Sequence, residues 1–127
     1  MHENWPDMAA GLSQPLKELR TGAPDVMKSF SSLARAASDT KALDAKTREL
    51  IALGISVAVR CDACIAFHAE SAVRQGATRE EMTETMGMAI YMGAGPSVMY
   101  AAQALEAYDQ FRAKADAASN QMFLAPG

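Results

Sequence analysis

The chain is poor in the residue types that a nucleic-acid surface, a disulfide framework or a membrane span would need. Twelve basic residues stand against fifteen acidic ones, for a net charge of −3, and they are scattered along the sequence. Neutralising phosphates takes concentrated positive charge, so nucleic acid is excluded as a partner. Half of the residues are apolar in the broad sense, with alanine supplying much of that share. No stretch reaches the roughly 18 to 20 uninterrupted apolar residues of a membrane span, which predicts a soluble protein with no membrane partner. The opening Met1-His2-Glu3-Asn4-Trp5-Pro6-Asp7 lacks the basic and apolar regions of a secretory leader, so a cytoplasmic location is expected. Alternating Val/Ile/Thr runs of strand length are missing, and so are internal repeats and any dividing linker. The remaining reading is a single all-α domain over residues 1–127, small enough to use a partner subunit to cover apolar surface.

Helix signals fill most of that length. Pro15 and Pro24 sit where proline can open a helix, and Val26, Met27, Phe30, Leu33 and Ala34 follow at helical spacing, which predicts two short N-terminal helices. Asp44 caps a helix to about Val59 whose Leu50, Leu53, Ile55 and Val57 cover more than one side, and Gly54 within it implies close helix packing. The next helix starts near Cys61 or Asp62 and stops at Gly76, a left-handed C′ position. Thr78-Arg79-Glu80-Glu81 has the form of a capping box and leads to Met82, Met86, Ala89, Ile90 and Tyr91 before Gly93-Ala94-Gly95-Pro96 interrupts. From Pro96 the spacing of Val98, Met99, Ala102, Leu105, Tyr108 and Phe111 predicts a last long helix, thinning beyond Ala115. About six helices result, with a loosely ordered tail expected over 118–127.

Both cysteines and one of the two histidines fall within eight residues, as Cys61-x-x-Cys64-x-x-x-His68. At 100° per residue, Cys64 lies about 60° from Cys61 and His68 about 20° from it, so all three share one face. A disulfide between cysteines three apart closes a tiny loop that stabilises little, and in a reducing compartment such a pair points to catalysis or metal binding. A thiol reacts as its thiolate, which the start of a helix and the neighbouring Arg60 cation favour. Cys64 has His68 at i+4, within reach to accept its proton. An oxidised sulfenic acid on either sulfur would condense with the other thiol, and an external dithiol would reopen the disulfide. Other readings stay open. Zinc could take Cys61, Cys64 and His68, but the only other histidine is His2, so a closed site lacks a fourth soft ligand. The pair could also be an inert part of a helical core, or a sensor without turnover.

The string around the cysteines resembles the AhpD-like alkylhydroperoxidases of the wider carboxymuconolactone decarboxylase superfamily, over residues 44–102. Glu49 stands twelve residues before Cys61, and Cys64, His68, Ala72, Gly76, Glu80-Glu81, Glu84 and Gly93 follow in the same order. That resemblance implies an AhpD-like helical bundle assembling into homo-oligomers, as trimers or hexamers. It implies reduction of small hydroperoxides with a dithiol reductant of lipoyl or thioredoxin type, and no cofactor or metal. Carried over, Cys64 is the peroxide-attacking thiol, Cys61 the resolving thiol, and Glu49 with His68 the proton relay. Helix electrostatics alone would instead make Cys61 the more acidic sulfur. The best-characterised members carry a histidine just before the second cysteine, where this chain has Ala63. A dithiol–disulfide oxidoreductase without peroxidase activity is therefore the alternative. For Glu49 the bland reading is an exposed i, i+3 pair with Lys46; if instead it faces the cysteines, burial would suit it to proton transfer. Met82, Met86, Met88, Met92 and Met99 read as core or subunit interface, while Trp5, Tyr91, Tyr100, Tyr108 and His2 carry no motif.

Overall fold

A computed structural model describes residues 4–124, and these form six helices and no strand. The expectation for His2 falls outside the described residues. In order the helices are α1 (Trp5–Gly11), α2 (Ser13–Gly22), α3 (Pro24–Ser38), α4 (Ala45–Ala58), α5 (Asp62–Arg74) and α6 (Arg79–Leu124). The all-α architecture is as predicted, but its parts divide differently. Three helices, not two, precede α4, and the last two predicted helices are one element interrupted at a single residue.

The additional helix is α1, whose seven residues are too few for apolar periodicity to register. Asn4 caps it by accepting from Asp7 N at 2.9 Å, with Pro6 in the first turn. What holds it is tertiary: Trp5 is wholly buried, its indole Nε1–H donates to Glu106 at 2.8 Å, and its backbone N–H donates to Gln110 at 2.6 Å. Both acceptors lie on α6, more than 100 residues away in sequence.

The predicted boundaries of α4 and α5 are observed with their caps. Asp44 accepts from Thr47 N at 2.8 Å, and this hydrogen bond from the helix backbone is the main reason its carboxyl is held below the usual range. At the other end Arg60 N–H donates to Val57 O and Cys61 N–H to Ser56 O, at 3.2 and 3.1 Å. That pair of bonds is a Schellman motif, and it places Arg60 at φ 59°, where glycine is the usual occupant. Helix α5 closes the same way, with Gly76 at φ 82° and Ala77 N–H donating to Ala72 O at 2.9 Å. The Thr78/Glu81 capping box is reciprocal, with Thr78 N–H donating to Glu81 Oε1 at 2.8 Å and Glu81 N–H to Thr78 Oγ1 at 3.1 Å.

Helices α4, α5 and α6 pack on one another, and α1 lies across α5 and α6. Their shared core holds Leu53, Val57, Ile65, Met82, Met86, Tyr108 and Phe111, with alanines filling close approaches. Gly54 meets α6 at ordinary contact distance, since a Cβ there would sit 3.5 Å from Thr85 Cγ2. Tyr108 donates its buried hydroxyl to Ala77 O at 2.7 Å, tying the α5–α6 connection to the far arm of α6. Ala94 breaks α6 at φ 55°, ψ −141°, and Pro96 follows. A Cβ on Gly93 would collide with the Ser97 side chain, which explains glycine there. The far arm continues to Leu124, well past Ala115, where the apolar pattern thins. By contrast, α2 and α3 bury no residue at all.

Candidate functional site

The turn between α4 and α5 builds the site. The Schellman end of α4 delivers the chain to Cys61, which becomes the N-cap of α5 in an extended conformation, φ −108°, ψ 102°. Its sulfur accepts from the Cys64 backbone N–H at 3.2 Å, the bond a serine or aspartate side chain makes at an ordinary N-cap. Cys61 and Cys64 are joined by a disulfide with a Cα–Cα separation of 5.2 Å. Both residues are half-buried rather than enclosed, so solvent reaches their neighbourhood.

One turn further along α5, His68 Nδ1 lies 2.8 Å from Glu49 Oε2 on α4. In the tautomer with the proton on Nδ1, the imidazole donates to the carboxylate and Nε2 is the ring atom left for exchange. The Glu49 side chain is 14% exposed and that of His68 39%, so the acid sits beneath the imidazole and the imidazole faces out. Glu49 therefore does not make the i, i+3 pair with Lys46. That lysine crosses to α6 and pairs with Glu81 at 2.8 Å. The same pairing, reinforced by the Thr78 N–H, holds the Glu81 carboxyl below its ordinary value and raises Lys46 above its own.

The structure joins the four predicted site residues in two pairs: Cys61 with Cys64 by the disulfide at the start of α5, and Glu49 of α4 with His68, which lies one turn along α5 from Cys64. Two contributors carry no sequence signal for the role. Ser56 supplies the carbonyl that receives Cys61 N–H, and Arg60 supplies the left-handed turn before it. Backbone carbonyls leave no signature in a sequence, and an arginine does not announce a positive φ. As for metal, no group of three His, Cys, Asp or Glu side chains converges among the described residues, and the two sulfurs are bonded to each other. Of the methionines expected in the core or at a subunit interface, Met82 and Met86 are buried in the core, whereas Met88, Met92 and Met99 are exposed on this chain.

Comparison with known proteins gives a consistent picture. Residues 24–107 match the model of the carboxymuconolactone decarboxylase family. A crystal structure of a carboxymuconolactone decarboxylase family protein from Legionella pneumophila, in its apo form, is similar with a TM-score of 0.82 and 49% identity, covering 85% of this chain and 96% of that one. A second, from Thermotoga maritima and with a suggested involvement in antioxidative response, has a TM-score of 0.78 and 27% identity over 87% of this chain and 95% of that one. An uncharacterised protein of Cupriavidus necator is 40% identical over 90 residues, 71% of this chain and 80% of its own length.

Proposed function

We propose, because this chain belongs to the carboxymuconolactone decarboxylase family, that Cys61 and Cys64 are a redox couple that reduces small hydroperoxides with electrons from a dithiol donor. The observation that carries this reading is the disulfide at the entrance of α5, one turn from an imidazole already oriented by a carboxylate. A structural staple would have no use for that pair. The suggested antioxidative role of the Thermotoga relative points the same way.

In the reduced protein, His68 Nε2 accepts the Cys64 proton, and Glu49 fixes the ring and stabilises its charged form through Nδ1–H. The Cys64 thiolate attacks the terminal peroxide oxygen, the O–O bond breaks, and the departing alkoxide takes the proton back from His68. Cys64 is then a sulfenic acid. Cys61 attacks it, water leaves, and the disulfide forms. A donor dithiol reopens it by two exchanges, becoming a disulfide itself. The balance is one hydroperoxide and one dithiol to one alcohol, one water and one disulfide. Cys61 stands at the entrance of α5, ahead of its first turn, where a bulky dithiol can attack its sulfur and release the Cys64 thiolate beside His68. This supports Cys61 as the thiol that exchanges with the reductant and leaves Cys64 for the peroxide.

The test is sulfenic-acid trapping after one equivalent of cumene hydroperoxide on the reduced protein. Cys61→Ser should accumulate a trapped sulfenic acid on Cys64, and Cys64→Ser should react far more slowly. The reverse pattern exchanges the roles. A second reading is favoured by Ala63, which provides no proton donor between the cysteines: the same couple acts as a dithiol–disulfide oxidoreductase. Wild-type protein that cycles with dihydrolipoamide yet leaves hydroperoxide unconsumed would decide for it.

A further inference from the structure

Helix α5 presents a second flank beside the cysteines. At 100° per residue, His68 stands about 40° to one side of Cys64 around the helix and Phe67 about 60° to the other. The imidazole flank turns toward α4 and Glu49. On the Phe67 flank lies a cavity of about 340 Å³, walled by α1, α2 and the far arm of α6 as well as by α5. Phe67 is 38% exposed, although it sits in the middle of a helix whose Ile65 is wholly buried.

That cavity mixes apolar walls with charge. Pro6, Ala9, Leu16 and Phe67 form the apolar part, while Arg20 of α2 and Lys114 of α6 bring two cations to it from elements far apart in sequence. Neither cationic side chain makes a hydrogen bond or an ion pair with a described residue. The acid on the same wall, Glu70, has Arg74 one turn further along α5 at 3.9 Å. In a chain of net charge −3, the cavity is therefore a local excess of positive charge. Two unpaired cations from separate helices, set over an apolar wall, are complementary to an organic anion with an apolar body.

We infer that this cavity holds the body of the hydroperoxide, and that the preferred substrate carries a carboxylate at the end of an apolar chain, as a fatty-acid hydroperoxide does. The inference rests on the peroxidase reading of Cys64 and adds a substrate class to it. The chain crosses Phe67, its carboxylate lies between Arg20 and Lys114, and the peroxide end comes to Cys64 with the imidazole on the far side. From Cys64 to Glu70 the helix rises about 9 Å, so a small hydroperoxide at the sulfur stops short of the cations and a long acyl chain reaches them. The reaction is unchanged: Cys64 takes the terminal oxygen and becomes the sulfenic acid, the alkoxide takes the His68 proton, and a hydroxy acid leaves. The carboxylate is held equally before and after the O–O bond breaks, so its binding lowers KM and leaves kcat nearly as it is.

The test pairs turnover with binding. Steady-state rates with dihydrolipoamide as donor are measured on linoleic acid hydroperoxide, its methyl ester and cumene hydroperoxide, and calorimetry follows the matching hydroxy acid and its methyl ester on the oxidised protein. Two exposed ion pairs are together worth on the order of tenfold in affinity, so wild type should show a KM for the acid about tenfold below that for the ester, with a similar ratio in binding. The double variant Arg20→Gln/Lys114→Gln should bring both ratios close to one with an unchanged far-UV spectrum, since both side chains are exposed. Arg20→Lys should keep them, and Phe67→Ala should weaken acid and ester alike. Equal binding of acid and ester by wild type, or ratios that survive the double variant, would overturn the inference even if cumene hydroperoxide is consumed. Preferential binding of the acid without consumption of any of the three would instead bring down the peroxidase reading, and with it the role of the acid as substrate.

Discussion

Glu49 touches no sulfur in this structure; it acts on the chemistry through the imidazole of His68. Such a positioning residue should change how the rate depends on pH rather than whether the protein folds. For Glu49→Gln we expect a fall of roughly 100-fold in kcat/KM for dithiol-dependent turnover, the low end of general acid–base contributions, with little change in the far-UV spectrum. The pH–rate profile should change in shape once the carboxylate is gone, and Glu49→Asp should recover part of the loss. An unchanged profile would assign Glu49 to packing. The second acid, Glu81, belongs to stability. Its carboxyl is held below the ordinary 4.5, first by Lys46 and then by the Thr78 N–H. A depressed carboxyl contributes stability that is present above its unfolded value and lost as the pH falls through the folded one. Glu81→Gln should therefore be less stable than wild type at pH 7, and the gap should close below about pH 4.5; urea titrations at pH 7 and pH 3 measure it. The effect is modest, because both partners are a third exposed.

Ala94 is the one place where α6 contradicts helical geometry. At φ 55°, ψ −141° it occupies a region that suits glycine alone, although its neighbours on both sides are glycine. Ala94→Gly relieves that strain but adds freedom to the unfolded chain, and the two partly offset one another. We expect a net gain of about 1 kcal/mol, read as a higher urea midpoint with the same slope. A loss would mean that the interruption is less strained than its angles imply. Arg60, at the end of α4, also has a positive φ. There the turn sets the direction in which Cys61 enters α5, so its cost accompanies the site rather than a mere change of helix direction.

The disulfide contributes little to the molecule as a whole. Closing a four-residue loop is worth at most about 2 kcal/mol by chain entropy, and Ile65, Ala66 and Ala69 bury α5 in the core regardless of the state of the sulfurs. Reduction with dithiothreitol should lower the thermal midpoint by several degrees while leaving the helical signal of the folded state intact. Wholesale loss of helix on reduction would show that the bond is a staple and would remove the case for cycling. No helix among the described residues is long and apolar enough to cross a membrane.

Much of the site was legible before any coordinates because its parts are related by helical spacing. The cap at Asp44, the Thr78/Glu81 box, the left-handed stop at Gly76 and the nearness of Cys61 to Cys64 all depend on residues three to five apart, and helix geometry converts such separations directly into position. Contacts across helices do not follow from spacing. Glu49 reaches His68 over 19 residues and Trp5 reaches Glu106 over 101, distances set by how helices cross and how closely they approach. Packing chose His68 over Lys46 as the partner of Glu49, and it turned a seven-residue segment without clear periodicity into a docked helix. It also left Val26, Phe30 and Leu33 outside the core, although their spacing is as regular as that of the buried stripes. A helical pattern encodes which side is apolar; what that side meets depends on where the rest of the chain, or another copy of it, comes to lie.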